Sequence, residues 1–129
     1  MKILQIIAGS QNGGAEQFFL RLARALNNKG LSQEAIIRHN NKRATVLENM
    51  NVPTIQCRFG GKLDFFTKGC IQRKINIYKP DIILSWMSRA ASMCRPKNGA
   101  IHCGRLGGYY NLKYFSTCDH LIGNTPDIV

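Results

Sequence analysis

Residues 2–14 read Lys-Ile-Leu-Gln-Ile-Ile-Ala-Gly-Ser-Gln-Asn-Gly-Gly, a nearly unbroken aliphatic run followed by a loop that contains glycine. The run has the length and the β-branched content of a strand buried on both faces of a parallel sheet. Gly30 then stands where a helix C-cap is expected. Between the loop and Gly30, apolar residues at spacings of three and four predict a helix, and they are Ala15, Phe18, Phe19, Leu22, Ala25 and Leu26.

The rest of the chain continues this alternation of strand and helix. Strands that alternate with helices indicate right-handed β-α-β units and therefore an α/β fold, a Rossmann-like doubly wound parallel sheet. Such sheets bind ligands beyond the carboxyl ends of their strands, so function is expected in the loops after strands one, four and five. The further strands that we predict lie at 34–38, 53–56, 100–103 and 120–123, and a fourth strand follows the Pro-Asp turn within 79–85 and ends at Ser85. The further helices that we predict lie at 42–50, 66–78 and 87–93.

Composition limits the class of protein. The 129 residues suit one domain, and 18 Lys plus Arg against 7 Asp plus Glu give a formal net charge of +11. Such a charge attracts nucleic acid, anionic lipid or phosphorylated sugars, and the net charge alone does not show which of these is the partner. Five cysteines without C-x-x-C spacing argue against a disulfide framework and a metal site. Because no apolar run approaches the ~20 residues of a membrane span, we expect a cytoplasmic protein, at most peripheral at the inner face of the membrane.

The loop after the first strand is not that of a dinucleotide-binding domain. It lacks the G-x-G-x-x-G pattern, and the second strand ends in Arg38 and His39 where a ribose-binding carboxylate would be needed. Gly13 and Gly14 still let backbone amides approach a phosphate at a helix N-terminus, although glycine is also the default residue of any tight turn. The strand ends carry no nucleophile, triad or paired carboxylates, which argues against hydrolase chemistry.

Two groups of residues after strands four and five are candidates for binding. Arg89 could contact a phosphate or a carboxylate in bidentate fashion, and Trp86 is either a core residue or a surface for ligand stacking. His102 lies inside the predicted fifth strand and is interpreted as a hydrogen-bonded core residue. The loop after that strand combines a cation, glycines and tyrosines suited to sugar binding, namely Arg105, Gly107, Gly108, Tyr109 and Tyr110.

The order and spacing of several short segments resemble the N-terminal half of the glycosyltransferase family 4 enzymes of the GT-B fold. The resemblance is strongest to bacterial members that build lipopolysaccharide or related surface sugars. It runs through nearly the whole chain, over Gly13-Gly14-Ala15-Glu16 and residues 62–64, 79–91, 104–113 and 118–125.

This resemblance implies a retaining transferase without metal or cofactor, in which the N-terminal half binds the acceptor and the C-terminal half binds the nucleotide sugar as co-substrate. It implies that Gly13 and Gly14 face the donor phosphates. Several relatives place a histidine near the position of Arg105, and because arginine cannot act as a base at neutral pH, the implied role of Arg105 is charge stabilisation. The implied acceptor pocket comprises Glu16, Trp86, Arg89, Gly107, Gly108, Tyr109 and Tyr110.

Residues 1–129 are therefore expected to be an N-terminal Rossmann-like acceptor-binding domain, truncated before the donor-binding C-terminal domain and inactive alone. The alternative is a non-enzymatic basic module that binds nucleic acid or an anionic membrane. Nucleic acid is the less favoured partner, since the sequence has no recognition-helix or RNA-binding aromatic motif. The predicted helix 66–78, with Lys68, Arg73 and Lys74, could rest on lipid headgroups or be an ordinary packing helix with a solvated face.

Overall fold

A computed structural model of the chain describes residues 1–8, 14–60, 65–94, 99–106 and 118–123. Strands and helices alternate from β1 to β5 within these ranges, and a sixth strand follows. The strands are β1 (Lys2–Ile7), β2 (Ser32–Arg38), β3 (Thr54–Cys57), β4 (Ile82–Trp86), β5 (Ile101–Leu106) and β6 (His120–Gly123). The helices are α1 (Gly14–Asn28), α2 (Asn41–Asn49), α3 (Phe65–Tyr78) and α4 (Met87–Met93).

The described strands form a six-stranded sheet in the order β3-β2-β1-β4-β5-β6, and every neighbouring pair is parallel. The chain first builds outward from β1 to β3 and then returns to build from β4 to β6. The strand order therefore reverses between β1 and β4, which is the switch point where doubly wound sheets bind ligands. The predicted fold class, a Rossmann-like doubly wound parallel sheet, is confirmed.

Each face of the sheet has its own hydrophobic core. On one face, α1 and α2 pack through Phe19, Ala23, Ala44 and Leu47 against the strands. On the opposite face, α3 and α4 pack through Ile71, Ile75, Ala90 and Met93. This distribution follows from right-handed crossovers, because a crossover that builds in one direction must cover one face and a crossover in the other direction the other.

Three of the described helices are followed by a left-handed residue, which explains their boundaries: Gly30 after α1, Asn51 after α2 and Lys79 after α3. Gly30 has φ 78°, its amide donates to the Asn27 carbonyl, and the Leu31 amide donates to the Leu26 carbonyl. These are the two hydrogen bonds of a Schellman motif, so the predicted C-cap role of Gly30 is confirmed. Asn51, with φ 62°, occupies the same position after α2.

The sequence predicted the helices more accurately than the faces that they bury. In α1 the buried apolar residues are Phe19 and Ala23, whereas Phe18 is 41% exposed and Ala25 is exposed. In α3, the apolar side chain of Phe66 is 79% exposed. Adjacent apolar residues lie about 100° apart on a helix, so only one of each pair points at the sheet.

Candidate functional site

Trp86 lies at the switch point of the sheet. It is the last residue of β4, and it pairs in register with Ile7 at the end of β1 and with Arg105 on β5. Residues in register on neighbouring parallel strands project to the same face, so Trp86 and Arg105 stand side by side on the face that α1 covers. The predicted position of both residues at the carboxyl edge of the sheet is confirmed.

The indole of Trp86 is fixed by packing and by a buried hydrogen-bond chain. The side chain is 1% exposed, and Phe19 meets its ring edge-on, with centroids 5.7 Å apart and an interplanar angle of 83°. The indole Nε1 donates to Oε1 of Gln5 at 2.9 Å, and Gln5 Nε2 donates to Oε1 of Gln33 at 2.9 Å. Gln33 Nε2 donates in turn to the carbonyl of Ala23 in α1. The chain satisfies each of these buried groups and ties α1 to β2, β1 and β4.

Arg105 is held over two aromatic rings. Its guanidinium carbon is 4.4 Å from the ring centroid of Phe18 and 5.4 Å from that of Trp86, within the range of a cation–π interaction. Partial burial lowers the pKa of the guanidinium, which nevertheless stays protonated at neutral pH. A half-buried cation at this edge attracts an anion more strongly than one surrounded by water.

The position of Arg105 differs from the predicted one in one respect. The sequence predicts Arg105 in a loop after a strand at 100–103, but β5 continues to Leu106. The strand continues because it pairs with β4 on one side and with β6 on the other, where Arg105 lies in register with Ile122. A strand position gives Arg105 a more rigid backbone than a loop would.

Glu16 occupies the first turn of α1, where a carboxylate is favoured by the helix dipole. The residue is only 4% exposed, and Arg43 of α2 is 5% exposed. Burial lowers the pKa of the Arg43 guanidinium, while the negative charge of Glu16 acts in the opposite direction. The two charges thus stabilise each other between α1 and α2, and the acceptor-binding role of Glu16 stays a prediction.

His102 is a core residue, as predicted. It is fully buried on the face opposite Arg105, and its Nε2 lies 2.5 Å from the hydroxyl of Ser85. Its backbone amide donates to the carboxylate of Asp119 at 2.8 Å, which joins β5 to the start of β6. Cys118 and Cys94 lie near this pair, and burial raises the pKa of Cys94 to about 12 and that of Cys118 to about 11. Thiols with such pKa values are protonated and weakly nucleophilic at neutral pH.

The structure describes only part of the predicted site. Gly14 is the first residue of α1, and Arg89 lies in α4, although its side chain is outside the described part of the chain. The other predicted site residues lie outside the described residues altogether, namely Gly13, Gly107, Gly108, Tyr109 and Tyr110. Their roles stay predictions.

Three residues that hold Trp86 and Arg105 in place were not predicted as part of the site, namely Phe18, Gln5 and Gln33. The signal for Gln5 was present, since a lone amide inside an aliphatic strand needs a buried hydrogen-bond partner. Its partners lie 28 and 81 residues away along the chain, at Gln33 and Trp86. Local patterns could not have identified them.

Known proteins that are similar to this chain in sequence or in fold indicate which class of protein it resembles. No protein-family model matches the chain. Two curated relatives are the lipopolysaccharide core biosynthesis glycosyltransferases LpsD and LpsE of Rhizobium meliloti. The chain is 32% identical to LpsD over 130 residues and 31% identical to LpsE over 140 residues, and each alignment covers 99% of this chain. The chain spans 38% of the length of each relative.

Solved structures support the fold. A glycosyltransferase from Rickettsia africae matches with a TM-score of 0.66 at 20% identity, over 85% of this chain and 30% of that one. MurG of Acinetobacter baumannii matches with a TM-score of 0.71 at 14% identity, over all of this chain and 43% of MurG. HepE of Anabaena, in complex with UDP-glucose, matches with a TM-score of 0.63 at 17% identity, over 90% of this chain and 32% of HepE. The chain thus has the Rossmann-like fold of one half of a GT-B architecture, and in sequence it is similar to part of two lipopolysaccharide core glycosyltransferases.

The described ranges were also compared with the requirements of a metal site and of a membrane-spanning helix. They contain no group of three or more His, Cys, Asp or Glu side chains placed to hold a metal ion. Within the same ranges no helix combines the length and the apolar character needed to cross a bilayer.

Proposed function

We propose that residues 1–129 form the N-terminal, acceptor-binding domain of a retaining family 4 glycosyltransferase. The whole enzyme would transfer a sugar from a nucleotide sugar to a lipopolysaccharide core or a related lipid-linked acceptor, without a metal or cofactor. The observation that carries the proposal is the similarity of 99% of this chain to part of LpsD and LpsE. Because those relatives are much longer, the donor-binding domain is supplied by chain outside these 129 residues, and the present chain is inactive alone.

The geometry of the carboxyl edge supports a role in sugar transfer. Glycosyl transfer expels a nucleoside diphosphate, so negative charge develops on the leaving group as the bond breaks. A cation that is already oriented stabilises such charge without reorganising during the reaction. Arg105, held over Phe18 and Trp86, fits this role.

The neighbouring groups complete the proposed site. The proposed role of Gly13 and Gly14, at the start of α1, is to bind the donor phosphates through backbone amides. The acceptor pocket is formed by Arg89 together with Gly107, Gly108, Tyr109 and Tyr110, and the buried side chains of Glu16 and Trp86 support it from within the domain. Binding of a nucleotide sugar is supported by the similar fold of HepE, which is known in complex with UDP-glucose.

A transfer assay tests the proposal. Residues 1–129 are fused to the part of LpsD that follows the matched segment, and the fusion is incubated with labelled nucleotide sugars and core-truncated lipopolysaccharide. We expect background transfer by the chain alone and transfer by the fusion, with the anomeric configuration of the donor retained in the product. If the fusion is folded but transfers sugar from no nucleotide sugar tested, the proposal is wrong.

Matched arginine variants test the role of Arg105 in the same fusion. We expect Arg105→Ala to lower kcat/KM about 100-fold, the usual cost of losing one charge-stabilising donor. Arg105→Lys should recover part of that loss. Arg21→Ala is the control, since Arg21 is exposed further along α1, and it should leave kcat/KM unchanged.

A further inference from the structure

Phe18 lies between the first turn of α1 and the cation of the candidate site. It is the fifth residue of α1, and 41% of its surface is exposed. The guanidinium carbon of Arg105 lies 4.4 Å from the centroid of the Phe18 ring and 5.4 Å from that of the Trp86 ring. Of the two rings, Phe18 is therefore the nearer support of the cation.

The two rings that support Arg105 belong to different layers of the fold. Trp86 is part of the sheet, where burial and its hydrogen bond to Gln5 fix the indole. Phe18 is part of α1, and its ring centroid lies 5.8 Å from that of Trp86 at an interplanar angle of 52°. Trp86 thus fixes where the guanidinium lies over the sheet, and Phe18 fixes where it lies relative to α1.

The Phe18 side chain is directed towards the start of α1. In an α-helix the Cα–Cβ bond is tilted towards the N-terminus, so a side chain covers the turn that precedes its own Cα. Gly14 lies four residues before Phe18, about 6 Å along the axis and nearly on the same side of the helix. The guanidinium over the Phe18 ring therefore lies beside the first turn of α1, where the helix dipole favours an anion.

The contact between Phe18 and Arg105 depends on an aromatic ring. The Arg105 side chain has several rotatable bonds, and fixing them when a ligand binds costs free energy. A cation–π interaction orients the guanidinium before the ligand arrives, which reduces that cost. Leucine at position 18 would also be apolar, but it has no ring quadrupole that attracts a cation.

We propose that Phe18 is a positioning residue, which holds the Arg105 guanidinium beside the first turn of α1 so that both contact one diphosphate. A diphosphate suits this arrangement, because its two phosphoryl groups can be shared between a cation and a neighbouring helix N-terminus. Phe18 acts through Arg105 and does not itself bind the ligand. The inference that this diphosphate is the leaving group of sugar transfer rests on the proposed function, whereas diphosphate binding itself does not.

Isothermal titration calorimetry of the 129-residue chain with inorganic pyrophosphate tests the proposal without any transfer reaction. We expect saturable binding by the wild type, and Arg105→Ala should weaken it by about tenfold or more. Phe18→Leu should weaken it about five- to tenfold, the strength of a partly exposed cation–π interaction. Phe18→Tyr keeps the ring and should bind pyrophosphate within about twofold of the wild type.

A double variant separates positioning from a merely structural role. If Phe18 acts through Arg105, Phe18→Leu should have no further effect on the pyrophosphate affinity of Arg105→Ala, so the two losses are not additive. Additive losses, or an unchanged affinity in Phe18→Leu, would overturn the proposal. So would absence of binding by the wild type, or binding that Arg105→Ala leaves unchanged, which would assign it to the general net charge of +11.

Phe66→Leu is the matched control for Phe18→Leu. It makes the same substitution at an exposed phenylalanine of α3, on the opposite face of the sheet, and should leave pyrophosphate affinity unchanged. Circular dichroism checks that each variant is folded, which is expected for Phe18→Leu because the Phe18 side chain lies outside both hydrophobic cores. An equal loss of affinity in Phe66→Leu would contradict a specific role of Phe18.

The transfer assay with the LpsD fusion distinguishes failure of this inference from failure of the proposed function. In an active fusion, Phe18→Leu should lower kcat about five- to tenfold and change KM less, since charge on the diphosphate grows in the transition state. Phe18→Tyr should restore kcat. An active fusion that Phe18→Leu does not affect would overturn this inference alone. An inactive fusion, with coupled losses of pyrophosphate affinity in the chain, would overturn the proposed function and leave the positioning role standing.

Discussion

Trp86 and Gln5 are joined by a buried hydrogen bond, so substitutions of the two residues should have coupled effects on the free energy of unfolding. Gln5→Leu leaves the indole Nε1–H of Trp86 without its acceptor and Oε1 of Gln33 without its donor. At about 1–3 kcal/mol for each unsatisfied buried group, the free energy of unfolding should fall by about 2–6 kcal/mol. That loss is a large part of the stability of an ordinary domain, which is about 5–15 kcal/mol.

Trp86→Phe removes the other side of the same bond and leaves Oε1 of Gln5 without its donor. In the double variant neither group remains, so the summed losses of the single variants should exceed the loss in the double variant by about 1–2 kcal/mol. Urea unfolding followed by far-ultraviolet circular dichroism measures all four proteins, since Trp86 is the only tryptophan. Losses that add within about 0.5 kcal/mol would refute the coupling. Gln5→Leu combined with Asn40→Ala is the control pair, which should be additive.

Three further perturbations test other parts of the structure by the same unfolding measurement. Asn40→Ala removes the cap of α2, in which the Asn40 carboxamide accepts from the Arg43 amide at 3.0 Å, and should cost about 1 kcal/mol, whereas Asn40→Gly should cost only a few tenths. Glu34→Gln breaks the partly buried pair with Lys74 and should cost about 1 kcal/mol at low salt and less at high salt; an effect independent of salt would contradict an electrostatic role. Burial raises the pKa of Cys94 from an ordinary 9.0 to about 12, so the folded chain keeps a proton that the unfolded chain loses. The contribution of Cys94 to stability should therefore be complete below pH 9 and fall as the pH rises towards about 12, by at most about 1.4 kcal/mol per pH unit, and Cys94→Ala should remove that part of the pH dependence. An unchanged slope in that variant would assign the loss to other groups.

The sequence was sufficient to predict the fold because its strongest signals are local. The aliphatic run of β1, the glycine after α1 and the repeated alternation of strand and helix each constrain a short segment, and together they permit few topologies. Trp86 and Arg105 could also be placed at the carboxyl edge, since strand ends can be recognised from nearby glycines and helix starts. That both lie on the same face depends on the register of β4 and β5, which no local pattern gives.

Helix orientation and buried polar pairs could not be predicted for a related reason. The neighbouring phenylalanines at 18 and 19 both fit an apolar arc, and only the crossover geometry selects Phe19 for the core and leaves Phe18 beside Arg105. Gln5 looked like an interruption of a strand, but it links Trp86 to Gln33 across three strands. Both outcomes depend on residues distant in sequence, so they become visible only when the sheet is assembled.

The central claim is tested most directly by an NMR titration that locates the binding site of a sugar acceptor on this chain. In a ¹⁵N-labelled sample the single indole Nε1–H resonance belongs to Trp86, and titration with core oligosaccharide from truncated lipopolysaccharide can be followed at that signal and along the backbone. We predict saturable shifts at Trp86 and around Arg105, with affinity at least tenfold weaker in a folded Arg89→Ala variant, since Arg89 is the arginine assigned to the acceptor. Saturable binding at the amino edge of the sheet, around Lys2 and Asp81, with Trp86 unperturbed, would contradict the account.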